Sequence, residues 1–335
     1  MLALSSLVTG CTKPAPPPVS ISQAQQKLEA KCRDDFDMHV VTRQVGNTFY
    51  VYLPTDKPLF DYEAQKDQGE AVPEKKNAKY TINFIDGKFE KNDFQFEYDI
   101  IDRKKSSKED YGFNSSYTDS YVKQQNNLFV AVSDTFFDVK ETSKEKLPEF
   151  FVLIITDIVK GIESRSTFYL TDFKRYMSGD LPYEEYMKRY LAETKGGQSF
   201  IGDEIGTHID YKEVQMSDFL AKQITNRINF KFQRSDFSPS DEYDNDIVAQ
   251  IADTLRYYNF KAFEHVRLNN LRLNRRYIFE QNQLANFGDD KQDFPDGVVD
   301  SKDKGKIVHI IFENGKTRFS DEDTTKSTTS NATTK

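Results

Sequence analysis

The sequence predicts an α+β fold: a mostly antiparallel sheet made from hairpins, with several packed amphipathic helices. Three observations predict it. Two pairs of strand-like runs flank short turn signals, several segments repeat apolar residues at helical spacing, and one run is apolar almost throughout. Hairpins with helices interspersed, rather than a regular β-α-β alternation, favour antiparallel pairing.

In chain order, the first element is a helix starting near Ser20 or Ser22. Ile21, Ala24, Leu28, Cys32 and Phe36 recur at close to four residues, and Ser22 with Gln25 fits a capping box. Cys32 on that apolar face is expected to be a buried, inert thiol. Val40 to Val45 and Thr48 to Leu53 flank Gly46-Asn47, a two-residue hairpin signal. Tyr80, Ile82 and Phe84 alternate with polar residues up to Asp86-Gly87, and Phe94, Phe96, Tyr98 and Ile100 alternate beyond it. This second hairpin has one apolar and one wet face.

A helical stripe follows at Tyr121, Leu128, Phe129, Val132 and Phe136. Phe150 to Val159 is nearly all apolar and β-rich, as a strand covered on both faces would be, and Lys160-Gly161 turns it into Thr167 to Leu170. Tyr183, Tyr186, Met187, Tyr190 and Leu191 predict a helix with Pro182 at its start and Gly196-Gly197 beyond its end. Met216, Phe219, Leu220, Ile224 and Ile228 mark another helix, as do Ile247, Ile251, Leu255 and Tyr258. Ile307 to Phe312, before Asn314-Gly315, closes the series as a strand.

Hydrophobic residues make up 37% of the 335, yet 27 Phe and 18 Tyr supply a real core. The net charge of −8 argues against broad nucleic-acid binding, whose affinity comes from neutralising phosphates. No stretch approaches the roughly 18 apolar residues of a membrane-spanning helix, and no period of roughly 20–50 residues repeats. Residues 64–78 and 102–118 read as polar loops, and 320–335 as a disordered tail. The body divides into 21–195 and 207–319 around the glycine-rich stretch 196–206, which is either a boundary or a long loop.

The amino terminus carries the one recognisable motif. Leu2 to Val8 is a short apolar run, followed by Thr9, Gly10, Cys11 and the Pro-rich segment Lys13 to Val19. Val8-Thr9-Gly10-Cys11 resembles the lipobox of bacterial lipoprotein precursors: an aliphatic residue, a small residue, Gly or Ala, then Cys. The resemblance implies lipidation of Cys11 and cleavage after Gly10, so that residues 1–10 are a short signal segment. It also implies a cell-envelope location, with the membrane contacted through the lipid on Cys11. No Lys or Arg precedes the run, which is where it departs from a standard secretory leader. Residues 11–20 then form a polyproline-type tether, semi-rigid at roughly 3.1 Å per residue.

Few motifs carry chemistry. Residues 196–210 (GGQSFIGDEIGTHID) place Ser199, Asp203, Glu204, His208 and Asp210 in one glycine-punctuated stretch. Asp203, Glu204, His208 and Asp210 could ligate a metal, and Ser199 could be a nucleophile, though the G-x-S-x-G elbow lacks its final Gly. The plainer reading is a solvated loop. Residues 289–300 lack the leading ligands of a calcium loop, and the four His have no metal-binding helical spacing. No catalytic residue, metal or cofactor is therefore assigned. Arg267, Arg272, Arg275 and Arg276 could meet lipid phosphates, or lie on a solvated strand face opposite acidic partners. The tyrosines at 183, 186 and 190 could stack on sugars or belong to the core.

Three functions remain open. The first is a membrane-anchored, non-catalytic binding or scaffolding module with a partner in the envelope. The second is an envelope hydrolase or metal-dependent enzyme using the 196–210 loop. The third is a solute-binding lipoprotein.

Overall fold

The structure is a computed structural model and describes residues 21–62, 80–102, 115–137, 139, 146–233, 243–285, 298–301, 307–313 and 316–322. Residues 1–20, which hold the lipobox-like motif and the expected tether, the expected loop 64–78, most of 102–118, most of 289–300 and the chain from 323 lie outside the described residues.

The α+β class holds. The chain opens with α1 (Ile21–Phe36), β1 (Val41–Val45), β2 (Thr48–Thr55) and β3 (Phe60–Tyr62). Next come β4 (Tyr80–Glu90), β5 (Asp93–Asp102), β6 (Ser115–Tyr117) and α2 (Asp119–Phe136). The middle supplies β7 (Phe150–Asp157), β8 (Ile162–Tyr169), α3 (Leu170–Met177), α4 (Tyr183–Met187) and β9 (Leu191–Gly196). After these follow α5 (Met216–Gln233), α6 (Tyr243–Tyr257), β10 (His265–Asn270), β11 (Arg275–Glu280) and α7 (Gln281–Ala285). The last are β12 (Val298–Ser301), β13 (Ile307–Glu313) and β14 (Lys316–Glu322).

One sheet runs β1-β2-β7-β8-β9, a second runs β14-β13-β12-β11-β10-β5-β4, and β3 pairs with β6. Pairing is antiparallel except at β2–β7 and β5–β10. The β5–β10 pair builds the second sheet from chain on both sides of residues 196–206.

Alternation in β2 and β7 fixes the layers of the first sheet. Phe49, Val51, Leu53, Phe151, Leu153 and Ile155 face a core closed by α1, α2 and α3. Their neighbours Tyr50, Tyr52, Val152 and Ile154 face the opposite side, where Ile209 covers them. Every residue of β7 is buried, as its apolar run predicts. On the second sheet, Phe94, Phe96, Tyr98 and Ile100 of β5 pack beneath α5 and α6. Cys32 is fully buried beside Leu28 and Ala24, and burial pushes its thiol up to about 12, so it is an inert core residue.

A buried polar network ties α3 to the helices of the second core. Arg189, after α4, donates to Asp172 of α3 at 3.0 Å and to Glu185 of α4 at 2.8 Å, while Arg227 of α5 also reaches Glu185. Tyr257 and Tyr258 donate to Asp172, and the Arg189 guanidinium lies 3.4 Å from the centre of the Tyr257 ring. Removing Arg189 would leave the Asp172 carboxylate, 3% exposed, without its cationic partner.

Several boundaries differ from expectation for physical reasons. The second hairpin turns at Lys91-Asn92 (φ 55° and 63°), not at Asp86-Gly87. Gly87 lies inside β4, where a Cβ would meet the Phe96 ring at 2.5 Å. The helix expected over 183–191 stops at Met187, because Leu191 pairs with Thr167 as the first residue of β9. Leu170, expected at a strand end, starts α3 and buries Phe173. Ser115–Tyr117, read as loop, pairs with Phe60–Tyr62. Ser320–Glu322, read as tail, completes β14 opposite Ile307–His309. In each case strand pairing or burial overrides a weak local signal.

Candidate functional site

The 196–210 stretch folds against the first sheet and closes on itself. After β9, the Gly197 amide donates to the Gly161 carbonyl, one turn of 3₁₀ helix spans Gln198–Phe200, and the Gly202 amide reaches Ile158. Gly202 and Gly206 take φ of 71° and 74°, which lets the chain reverse twice. A Cβ on Gly206 would meet the Tyr211 hydroxyl at 2.7 Å. The loop is then pinned from outside, with the Tyr50 hydroxyl donating to the Lys212 carbonyl and the Val214 amide to Thr48 Oγ1.

At its centre lies His208, held between two carboxylates. Nδ1 is 2.5 Å from Asp203 Oδ2 and Nε2 is 2.6 Å from Glu163 Oε2 of β8. Each ring nitrogen thus faces a carboxylate group within hydrogen-bond distance. All three side chains are buried, at 4%, 5% and 1% exposure for His208, Asp203 and Glu163. Arg165 balances Glu163 at 3.0 Å, Tyr52 donates to the Asp203 carbonyl, and Phe200 and Tyr52 pack around the imidazole. Burial pushes the Asp203 carboxyl up, but hydrogen bonds from the amides of His208, Thr207 and Ile205 and from the His208 ring outweigh it. They hold the carboxyl well below the usual range.

Of the residues singled out in the stretch, the fold brings together Asp203 and His208 only. Glu204 and Asp210 point into solvent, with Asp210 paired to Lys212. Ser199 is exposed, and both His208 nitrogens are taken by carboxylates, so it has no base there. Glu163 completes the cluster and comes from a distant strand; a lone acid within IESRSTFY gives no local signal of that role. With every polar atom committed inside, the cluster clamps the loop that covers the sheet.

A second group of ligand-type atoms, from Asp93, Glu264 and His265, lies within 4.8 Å. Both Asp93 oxygens are already engaged, by His265 at 3.0 Å and by Arg267 at 2.5 Å. Arg267 of β10 thus meets an acid on the neighbouring β5, while Arg272, in the turn between β10 and β11, meets Asp102 at 3.1 Å.

An open, uncharged feature is a cleft of about 440 Å³ between α2, α3 and α4. Six tyrosines line it (Tyr117, Tyr121, Tyr176, Tyr183, Tyr186 and Tyr190), with Phe129, Phe173, Met177 and Met187. Its polar side chains besides the tyrosines are Gln125 and Asn126, and no charged residue lines it. Tyr121 stacks on Tyr117 at 4.4 Å, and Tyr186 on Tyr176 at 4.5 Å. At one wall the Gln125 amide nitrogen reaches the hydroxyls of Tyr121, Tyr190 and Ser166, while Tyr121 also meets Ser164 at 2.7 Å. Burial pushes the Tyr121 hydroxyl up to about 12 and raises those of Tyr186 and Tyr190, so all three stay neutral. The rim is exposed, with Tyr183 at 61% and Met177 at 48%. Of the tyrosine stripe, Tyr186 and Tyr190 are core and Tyr183 faces water.

No family model matches the chain, and comparison with the curated proteins and with the solved structures gives no match either.

Proposed function

We propose that the chain is a membrane-anchored envelope lipoprotein whose folded body is a binding module, and that the tyrosine-lined cleft is its binding site. One observation carries the binding reading. The tyrosine-lined cleft is uncharged and open at an exposed rim, whereas the His208 cluster is sealed and internally paired. A rim of exposed Tyr and Met beside a buried aromatic wall suits capture of a ligand. The cleft presents no carboxylate, imidazole or cation to act as acid, base or electrophile.

The anchoring reading rests on Val8-Thr9-Gly10-Cys11 and the Pro-rich residues after it. Cys11 carries the lipid, cleavage follows Gly10, and residues 11–20 hold the body off the membrane. More than one acyl chain at the new terminus would give stable attachment, where a single chain binds only marginally.

Both readings meet one experiment. The full chain is produced in a bacterium fed an alkyne fatty acid, then purified from the membrane fraction and examined by native mass spectrometry. Label on the wild type and none on Cys11→Ser, with a bound small molecule whose occupancy falls in Tyr183→Ala, is the expected result. An unlabelled chain in the soluble fraction overturns the anchor. A labelled chain that carries no ligand, or one whose ligand Tyr183→Ala leaves in place, overturns the cleft.

A further inference from the structure

The chemistry of the cleft wall narrows what it takes, given that the cleft is the binding site. No charged side chain lines it, so neither an anion nor a cation entering from water would find a counter-charge for the hydration it loses. Its surface is predominantly aromatic, with one stacked tyrosine pair from the β6–α2 side and another from α3 and α4. Flat apolar faces match such walls best, because offset and edge-on ring contacts add to area burial.

The polar specification comes from Gln125. Its amide nitrogen faces the hydroxyls of Tyr121, Tyr190 and Ser166 at 3.0, 3.0 and 3.3 Å, which fixes the orientation of the amide. Its amide oxygen has no partner among the described residues and is not sealed from solvent, on a side chain that lines the cleft. An open, oriented acceptor on an aromatic wall selects a ligand that donates.

We infer that the cleft binds a small, uncharged molecule with a fused-ring face and a hydrogen-bond donor on its edge, the rings held by the tyrosines and the donor by the Gln125 amide oxygen. The volume of about 440 Å³ suits a compact polycyclic or ring-bearing molecule rather than a folded partner.

Calorimetric titration of the purified full chain with one matched set of probes tests this. The set is 2-naphthol, 2-methoxynaphthalene, 2-naphthoate, 2-naphthyltrimethylammonium and methyl glucoside. The inference expects 2-naphthol to bind with one site and 2-methoxynaphthalene about 10-fold more weakly, the worth of one hydrogen bond. The two ions and the sugar should bind more weakly still. Tyr183→Ala should weaken 2-naphthol about 5-fold or more without lowering the melting temperature, since the ring is mostly exposed. Gln125→Leu should erase the preference for naphthol over its methyl ether while retaining ring binding.

Tighter binding of either ion or of the sugar, lost in Tyr183→Ala, overturns this ligand class and leaves the cleft as the binding site. So does a naphthol preference that survives Gln125→Leu. No binding by any probe overturns the inference, and the occupancy measured on the chain from cells then decides the cleft reading separately.

Discussion

The His208 cluster and the tyrosine cleft lie on the same sheet-and-helix scaffold and use polar groups in opposite ways. Around His208, titratable groups are taken out of water and paired with one another: Glu163 and Asp203 with the imidazole, Arg165 with Glu163, and loop amides with Asp203. In the cleft, neutral hydroxyls are shared around the Gln125 amide nitrogen, and its amide oxygen has no partner among the described residues. The titratable cluster that resembles an active site in composition is thus a sealed clamp, and the group with no charge is the open one. Residue type alone does not distinguish a site from a strut; accessibility and unspent hydrogen-bonding capacity do.

The largest effect should come from breaking the clamp. His208→Ala leaves Asp203 and Glu163 buried without their shared partner, and is expected to cost about 3–5 kcal/mol in a urea unfolding series. The loop over Tyr50, Tyr52 and Val152 should loosen with it, seen as faster amide exchange at Gly202–His208. A loss under about 1 kcal/mol would mean the cluster does not hold the loop, and the comparison would fail.

Acid and alkali should divide the two regions. Asp203 has a folded pKa held below its unfolded value, so its stabilisation is present above the ordinary carboxylate range. That contribution, on the order of 2 kcal/mol, is lost as the pH falls through and below about 4. The cleft tyrosines are the reverse case. Tyr121 and Tyr190 are raised by burial, so their contribution is complete below about pH 10 and is lost as the pH rises beyond it. Exchange mapped at both extremes should show the 196–210 loop opening first in acid and α2 and α4 loosening first in alkali. The same region opening first at both ends would merge the two into one cooperative unit.

Much of this architecture was legible in the sequence because it rests on short-range pattern. The four-residue stripe of α1 and the apolar run of β7 state their burial directly, and Gly46-Asn47 states its turn. The failures occurred where long-range pairing decides. Leu191 fits the helical stripe of Tyr183 and Tyr186, but β8 claims it; Gly87 looks like a turn, but Phe96 needs the space. The His208 cluster was half visible: Asp203 and His208 lie five residues apart in a suspect loop, while Glu163 arrives from a strand 45 residues away. The cleft was legible only as the stripe Tyr183, Tyr186 and Tyr190, because its other wall belongs to α2.

Within the cleft wall itself, the smallest effect separates spent from unspent hydroxyls. Tyr186 and Tyr190 are both buried, at 4% and 8% exposure, and both lose ring area equally little on mutation to Phe. The Tyr190 hydroxyl meets Ser166 and accepts from Gln125, so Tyr190→Phe removes two hydrogen bonds and should cost about 1 kcal/mol. The Tyr186 hydroxyl is buried with no hydrogen-bond partner among the described residues, while its ring keeps its stack on Tyr176. Removing that oxygen relieves desolvation without breaking a bond, so Tyr186→Phe should leave stability unchanged or raise it by up to about 1 kcal/mol. Paired thermal melts measure the difference. Equal losses for the two variants would place an additional partner on Tyr186 and make the whole wall as fully spent as the His208 clamp.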